Sequence, residues 1–510
     1  MRKLVALLLT LMMVVGLASV AVAETAQNLE PVELKIWFHG SNVKDDAAVM
    51  EKVNEYLKEK INATLKPIWG TWGDFDNNVV LSLNAGDDVD MYFTCSWSLD
   101  DYAAYAKKGN WVRLDDPENN LIEKYASDLF KTLPSVLTQG ATIEGASGVG
   151  IYAVPGYKDF ATQNTWDINV DLLTKYGYTL DDIKNTDYYG FGDILKKVKE
   201  GEGADFYPLC IEPVVLERMV NNSVVVTGDN ASTNLMSFYI DPVHPGNDSS
   251  NGNVIFNKYA TPEFKKFAEK TREYYQAGYI DPAMAATGTS NDARSAAQLA
   301  GRYLIGTQSY ALGYEVQASN DRHIQVQFVP TTPAFVDTTA SQGAMVAIST
   351  ASKNPERSMM FLNLLNTDPY LMTLLNYGVE GIHYEKDADG LVKFLPKHDD
   401  YIPWRNGMGN ITLLPPLVGE GVGFWDTFKN YYGSAESTPI LGFIFNQEPV
   451  SSEMAAISNV AAEYAFALMA GSIDPAEKLD EFLKKLDDAG MQKIIDEANT
   501  QLQAFLAAKK

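Results

Sequence analysis

The stretch TLKPIWGTWGDFDNNVVLSLNAGDDVDMYFT, residues 64–94, carries the pattern that decides the fold. It begins with a β-rich run, Thr64–Ile68, continues with an amphipathic helical pattern that stops at Gly86, and ends in a second β-rich run, Val89–Thr94. A glycine just past a helix can adopt the left-handed conformation that terminates it. Strand, helix and strand at this spacing indicate a βαβ unit, which builds a parallel sheet covered by helices.

The same alternation extends outward from this stretch. Before it, Leu34–Phe38 is a short β-rich run, and Asp45 stands where a following helix would take its N-cap. After it, Leu99–Lys108 is a third predicted helix, and residues 241–253 form a Pro/Gly/Asn-rich surface loop. Further strands are predicted at Ile151–Val154, Asn164–Trp166, Tyr207–Ile211, Tyr303–Thr307, Val326–Val329 and Gly343–Ser349. Further helices are predicted at residues 262–275, 354–375, 452–470, 475–486 and 491–507.

These elements predict an α/β protein with two lobes, in which parallel-rich sheets are flanked by helices and joined by a multi-stranded hinge. The chain of 510 residues is long enough for two domains. We expect residues 24–158 and 343–399 in the first lobe and residues 159–342 and 400–510 in the second. Strands that return to the first lobe, at Ile151–Val154 and Gly343–Ser349, are the basis of this division.

Residues 1–23 have the pattern of an export signal. Arg2 and Lys3 precede the apolar run Leu4–Val15, and Ala21-Val22-Ala23 forms a small-residue cleavage site. The alternative, a membrane anchor, is disfavoured because the run is too short to span a bilayer. No cysteine follows the predicted cut, so we expect an exported chain, periplasmic or extracellular, without a lipid anchor or direct membrane insertion.

Charge and cysteine content exclude several kinds of partner. Acidic residues number 66 against 41 basic ones, giving a formal net charge of −25, which repels nucleic acid, anionic membranes and polyanionic substrates. Two cysteines, Cys95 and Cys210, lie in separate predicted strands. They can form one disulfide or remain two buried thiols, and the second interpretation is favoured because free cysteine behaves as a small core residue.

Aromatic residues are the strongest candidates for ligand binding. Three successive predicted strands lead to Trp37 and His39, to Trp72, and to Trp97. In open α/β sheets the loops beyond the carboxyl ends of the strands line the ligand crevice. Flat aromatic faces suit the C–H faces of sugar rings, so a carbohydrate is the predicted ligand. Trp166 and Trp404 are weaker candidates, and the alternative for each tryptophan is a place at the edge of the core.

Catalytic and metal-binding motifs are weak by comparison. The five histidines show no metal-ligand spacing, and no G-x-S-x-G elbow or phosphate-binding glycine loop occurs. Acidic pairs such as Asp45-Asp46 fall at helix starts and turns, where capping explains them. We therefore predict no catalytic residue, no metal site and no cofactor.

Long segments of the chain resemble a known family. LKIWF (Leu34–Phe38), GDFDNNVVLSLNAGDDVDMYFTCSW (Gly73–Trp97), IYAVPGYKD (Ile151–Asp159) and LGFIFNQEPVSSEMAAISNV (Leu441–Val460) are similar to lipoprotein-type extracellular solute-binding proteins of carbohydrate-uptake ABC importers. GVEGIHYEKDADGLVKFLP (Gly378–Pro396) and GSIDP (Gly471–Pro475) extend the resemblance through the C-terminal region. The resemblance covers nearly the whole mature chain.

The resemblance implies a two-lobed, type II periplasmic-binding-protein fold of the maltose-binding-protein type. It implies a monomer that closes on an oligosaccharide and delivers it to a membrane permease. By position it implies ligand contacts at Ser96 and Trp97, at Glu212 after the strand Tyr207–Ile211, and at Tyr310 after the strand Tyr303–Thr307. The stretch Lys196–Ala204 lacks the acidic spacing of the calcium loop that some relatives carry, so no calcium is expected there.

Two other functions remain open on the sequence alone. One is a secreted carbohydrate-active enzyme, hydrolase or lyase, with a similar aromatic cleft, because glycosidase carboxylates can come from anywhere in so acidic a chain. The other is a binding module for peptides or another amphiphilic solute.

Overall fold

The structure is a computed structural model that describes residues 29–71, 74–226, 236–239, 254–286 and 290–509. The predicted export signal, Trp72 and the predicted loop at 241–253 lie outside these residues. The chain divides into two compact units. The first comprises the described residues up to Lys158 together with Gln342–Val422, and the second comprises those in Asp159–Ser341 and Gly423–Lys510.

Strands and helices alternate through both units. The strands are β1 (Val32–Asn42), β2 (Ala63–Gly70), β3 (Met91–Thr94), β4 (Thr142–Gly145), β5 (Gly148–Ile151), β6 (Ala153–Pro155), β7 (Asn164–Asn169), β8 (Leu209–Cys210), β9 (Ser223–Val225), β10 (Met236–Tyr239), β11 (Phe256–Asn257), β12 (Ile305–Ser309), β13 (Val326–Pro330), β14 (Phe335–Val336), β15 (Met345–Ile348), β16 (Tyr384–Lys386), β17 (Val392–Phe394), β18 (Ile402–Pro403) and β19 (Glu436–Ser437). The α-helices are α1 (Asp46–Ile61), α2 (Phe75–Ala85), α3 (Tyr102–Lys107), α4 (Leu121–Tyr125), α5 (Ser127–Thr132), α6 (Ser135–Ala141), α7 (Val170–Lys175), α8 (Leu180–Lys184), α9 (Gly192–Glu202), α10 (Pro213–Asn221), α11 (Pro262–Gln276), α12 (Ser290–Leu299), α13 (Tyr314–Arg322), α14 (Thr338–Ser341), α15 (Pro355–Thr367), α16 (Pro369–Tyr377), α17 (Phe424–Gly433), α18 (Ser451–Met469), α19 (Pro475–Asp488) and α20 (Met491–Ala508).

The main sheet of the first unit is built on the predicted parallel strands. β1 pairs in parallel with β2 along Val32–His39 and with β3 at Ile36 and Trp37. β15 runs antiparallel to β3 and to β6, so the sheet is mixed rather than purely parallel. Since β15 runs opposite to β3, the residues just before β15 lie at the same edge of the sheet as those just after β3. This edge carries the candidate site of the first unit.

The two faces of β1 bury different residues. Leu34, Ile36 and Phe38 alternate along the strand and are almost fully buried, as the two-residue period of a strand requires. Trp37 and His39 therefore point to the opposite face, where both contact Phe75 at the start of α2.

The first unit extends further along the chain than the sequence suggested. We expected residues 400–422 in the second lobe, whereas the structure places them in the first unit. The reason is strand pairing: β18 pairs with Gly40 and Asn42 at the end of β1, and the backbone N–H of Val392 donates to the carbonyl of Pro416. Trp404 consequently belongs to the first unit.

The main sheet of the second unit has the order β13-β7-β12-β8. β7 is antiparallel to both β12 and β13, while β12 and β8 run parallel. The ends of β8, β12 and β13 and the start of β7 therefore meet at one edge of this sheet. The C-terminal helices α18, α19 and α20 pack on one another, and α18 also packs on α10 and α11.

Local chain chemistry explains two departures from the predicted helices. The helix predicted over 354–375 is two helices, because Pro369 lacks the N–H that an unbroken helix would need, and the Asp368 side chain accepts the N–H groups of Tyr370 and Leu371. Asp45 occupies the N-cap position of α1 as predicted, but its side chain does not cap the helix. It instead accepts a hydrogen bond from Nε2 of the buried His383 at 3.0 Å.

Cys95 and Cys210 are both buried and free, one in each unit. Burial raises the pKa of both thiols above the ordinary value. The helices that the structure describes include none long and apolar enough to cross a membrane.

Candidate functional site

Trp97 is the partly exposed tryptophan at the edge of the first unit's sheet. It lies in the loop after β3, its side chain is 43 % exposed, and its Nε1–H donates to the carbonyl of Gly343 at 2.9 Å. The neighbouring Ser96 is buried, and its backbone N–H donates to the carbonyl of Gln342 at 3.1 Å. One hydrogen bond thus orients the indole without burying it, which is what a stacking surface for a ligand requires.

Trp404, which directly follows β18, supports Trp97. The two ring centroids are 5.9 Å apart at 73°, and Trp404 also contacts Phe93 and His39 edge-on. The backbone N–H of Trp404 donates to the carbonyl of His39 at 3.0 Å. Gly407 allows a close approach here, because a Cβ at that position would lie 2.5 Å from the Trp404 ring. We call Trp97, Trp404, Phe93 and His39 the tryptophan cluster.

Trp37 and His39 lie behind this surface rather than on it. Because β1 continues to Asn42, Trp37 is within the strand and packs edge-on against Phe75 at 6.0 Å. His39 is only 4 % exposed and stacks on Phe75 at 3.7 Å. Burial lowers the pKa of His39 to about 4, against a smaller opposing effect of the Asp74 charge, so the ring is neutral at neutral pH. His39 is thus a buried member of the cluster, contrary to its expected role as a ligand contact, whereas a ligand contact of the half-buried Trp37 stays a prediction.

Tyr310 occupies the corresponding edge of the second unit. It follows β12 directly, and its backbone N–H donates to the carbonyl of Gln163 at 2.7 Å. Its ring lies 5.9 Å from Tyr431 of α17 and 6.0 Å from Phe328. The Tyr431 hydroxyl donates to Oε1 of Gln163, whose Nε2 donates to the carbonyl of Thr332. We call Tyr310, Tyr431 and Gln163 the tyrosine cluster.

Both phenols of the tyrosine cluster are held in the neutral form. Burial raises the pKa of Tyr431 to about 12 and raises that of Tyr310 as well, and the charge of Glu315 adds to both shifts. Neutral phenols can both donate and accept hydrogen bonds, as sugar hydroxyls also do.

Glu212 lies at the same edge of the second unit, but its charge is partly neutralised. Its backbone N–H donates to the Thr307 hydroxyl at 2.8 Å, which ties the start of α10 to β12. Its carboxylate lies 3.4 Å from Nη1 of Arg294. Glu212 is thus one half of an ion pair, and its contact with a ligand stays a prediction.

Trp166 is a core residue, contrary to expectation. It is 6 % exposed and lies between Tyr188, at 6.2 Å and nearly parallel, and Phe191, at 5.2 Å and edge-on. The reason is its position within β7, on the face that packs against the helices of the second unit. Trp166 is therefore withdrawn from the candidate site.

Sequence reasoning missed Tyr431 and Gln163. It considered residues that follow strands, whereas Gln163 precedes β7, a strand antiparallel to its neighbours whose start lies at the binding edge. Tyr431 lies on a helix far along the chain, and no local pattern links it to Tyr310. Among the residues that the structure describes, no group of three His, Cys, Asp or Glu side chains is placed to hold a metal ion.

Comparisons with known proteins agree with the fold and with the resemblance. A carbohydrate ABC transporter substrate-binding protein of Streptococcus pneumoniae is 28 % identical over 486 residues, covering 94 % of this chain and 91 % of the relative. The solved N-glycan transport solute-binding protein NgtS of the same organism, in complex with Man1GlcNAc, is 26 % identical with a TM-score of 0.77. It covers 93 % of this chain and 100 % of that one. The predicted resemblance and the type II solute-binding fold are confirmed.

Further matches extend this similarity. NgtS in complex with Man5GlcNAc is 27 % identical with a TM-score of 0.74, covering 94 % of this chain and 100 % of that one. A family model described as a domain of unknown function, DUF3502, matches residues 439–507. That region comprises the end of the chain from Pro439 through α18, α19 and most of α20, and it packs in the core of the second unit.

Proposed function

We propose that this chain is the substrate-binding protein of a carbohydrate ABC importer and that it binds an oligosaccharide without altering it. The observation that carries the proposal is Trp97, a partly exposed indole oriented by one hydrogen bond and supported by Trp404. Sequence similarity to a carbohydrate substrate-binding protein over 94 % of the chain supports the same class of function.

Each unit contributes a different kind of contact in this proposal. The tryptophan cluster offers an apolar ring face on which a sugar can stack. The tyrosine cluster offers phenol and amide groups that can exchange hydrogen bonds with hydroxyls. Among the nine residues predicted for the site, Trp37, Ser96, Trp97, Trp404, Glu212 and Tyr310 remain as candidate contacts, and Tyr431 and Gln163 join them. Trp72, which lies outside the described residues, also stays a prediction.

The experiment is a binding screen with the mature chain. Neutral oligosaccharides, including Man1GlcNAc and Man5GlcNAc, are titrated by calorimetry and tested for an increase in melting temperature. A ligand that binds only the native state stabilises it, by about 2.7 kcal/mol at a concentration 100 times Kd. Absence of binding to every oligosaccharide in the panel would contradict the proposal.

The proposal that the protein is not an enzyme has its own test. The oligosaccharide that binds is incubated with the protein and then analysed by chromatography. We expect the sugar to be recovered unchanged, and new products would instead support the hydrolase or lyase alternative.

Export and delivery to a permease complete the proposed function. The export signal predicted at residues 1–23 would place the chain outside the cytoplasm, where a permease of the importer would receive the ligand. Closure of the two lobes on the ligand stays a prediction, and small-angle scattering tests it by a smaller radius of gyration when ligand is added. An unchanged profile at saturating ligand would contradict closure.

A further inference from the structure

We propose that Glu315, together with the tyrosine cluster, forms a subsite that accepts neutral sugars and rejects sugars bearing a carboxylate. This inference rests on the proposed function and specifies its substrate class. Glu315 lies in the first turn of α13 in the second unit, beside Tyr314, which stacks on Phe328. Phe328 in turn packs edge-on against Tyr310, so α13 is tied to the tyrosine cluster through this ring.

One oxygen of the Glu315 carboxylate is a buried acceptor without a partner. This atom, Oε2, has no hydrogen-bond partner among the described residues. The helix that carries it packs on the tyrosine cluster through Tyr314 and Phe328, and the charge of Glu315 also raises the pKa of Tyr310 and of Tyr431. A buried acceptor without a partner is unfavourable, and a sugar hydroxyl that donates to it would relieve this cost. A sugar carboxylate at the same place would bring a second negative charge instead.

Two arginines that could attract an acidic sugar are already paired. Arg405, which follows Trp404 in the first unit, lies 3.1 Å from the carboxylate of Glu420, whose side chain is only 4 % exposed. It also lies 3.4 Å from the Tyr377 hydroxyl. Arg294 is paired with Glu212. Each arginine is therefore one half of an ion pair within its own unit, and the net charge of each pair is close to zero.

The segments that the structure does not describe cannot reverse this balance. Between residues 29 and 509 they contain no lysine or arginine. The chain as a whole has a formal net charge of −25, which adds a long-range repulsion of anionic ligands. The local and global charges thus favour the same class of ligand.

The test compares neutral and acidic sugars on the mature chain. Man1GlcNAc, Man5GlcNAc and a wider panel of neutral oligosaccharides are titrated beside an oligomannuronate of similar length, at low and high salt. We expect saturable binding of a neutral sugar with a Kd that salt does not change, because no charge pair forms with the ligand. The oligomannuronate should bind at least 100-fold more weakly at low salt.

Two variants assign the effect to Glu315. Glu315→Gln keeps the size of the side chain but removes its charge, and it should weaken the neutral ligand roughly tenfold, since hydrogen bonds to charged groups are the stronger ones. The same variant should reduce the ratio between the Kd of the oligomannuronate and the Kd of the neutral sugar. Glu269→Gln, at an exposed position of α11 in the same unit, is the matched control. It should change neither the Kd of the neutral sugar nor the ratio of the two Kd values.

The possible failures are distinguishable. Binding of oligomannuronate as tight as that of neutral sugars would overturn the inference while leaving the proposed function intact. If the wild type selected neutral sugars and Glu315→Gln selected them equally well, Glu315 would not belong to the subsite and the inference would be overturned. Absence of binding to every sugar would instead contradict the proposed function itself.

Discussion

The candidate edges of the two units differ in their chemistry. In the first unit the edge is an apolar cluster, where Trp97 and Trp404 are supported by ring-on-ring packing with Phe93 and His39. In the second unit the edge is a polar network, where Tyr431 and Gln163 are joined by hydrogen bonds and Glu315 adds charge. The difference teaches that apolar ring surface and hydrogen-bonding groups lie in separate parts of the chain, so a substitution can remove either one without the other.

The largest expected effect separates two tryptophans, Trp97 and Trp166, that the sequence predicted as a stronger and a weaker candidate for the same site. Trp166→Ala should lower the free energy of unfolding by about 3–5 kcal/mol, because it removes a large side chain from a packed core. Trp97→Ala should lower it by no more than about 1 kcal/mol, because Trp97 is already partly exposed. Urea unfolding of both variants measures the difference. Equal losses would show that Trp97 is also a core residue.

Ligand affinity, unlike the free energy of unfolding, should depend strongly on Trp97. Trp97→Ala should weaken oligosaccharide binding by about 2 kcal/mol, roughly 30-fold, as truncation of an aromatic anchor does. Trp97→Phe keeps a stacking ring and should recover most of the affinity. Calorimetry with the sugar identified by the screen gives both values. A Phe variant as weak as the Ala variant would indicate that the indole hydrogen bond to Gly343, rather than stacking, is what matters.

His39 makes the first unit sensitive to acid. Its pKa is about 4 in the folded protein and about 6.5 when unfolded, so the unfolded chain binds more protons between these values. The stability contributed by the neutral ring is present above pH 6.5 and is lost as the pH falls towards 4. From pH 7 to pH 5 the wild type should lose about 2 kcal/mol more than His39→Gln. Urea unfolding at the two pH values tests this, and parallel losses in the two proteins would exclude His39 as the cause.

The smallest expected effect concerns the hydroxyl groups of two adjacent tyrosines in the second unit. Tyr431→Phe should weaken oligosaccharide binding by about 1 kcal/mol, because it removes the hydroxyl that donates to Gln163. Tyr432→Phe is the matched comparison: this hydroxyl is buried and accepts the N–H of Leu312, so its loss should reduce stability instead. If Tyr432→Phe weakened binding and Tyr431→Phe reduced stability, the ligand-binding hydroxyl would be that of Tyr432 rather than that of Tyr431.

The sequence anticipated the position of a candidate residue best where that residue follows a strand. Trp97 follows β3 and Tyr310 follows β12, and both lie at sheet edges as expected. It was wrong for Trp166, because one tryptophan in a strand shows no sign of which face it occupies. The sequence analysis did not find Gln163, because the start of a strand lies at the same sheet edge as the ends of its neighbours only when that strand is antiparallel to them.

The sequence by itself determined the alternation of strands and helices, the class of fold and the resemblance to solute-binding proteins. These depend on periodicities of two and 3.6 residues and on capping residues, which act over a few neighbouring positions. Only the tertiary structure decided that residues 400–422 join the first unit, that Arg405 is paired with Glu420, and that α13, which carries Glu315, packs on the tyrosine cluster. Each of these depends on strand pairing or packing between segments distant in the chain, which no local pattern records.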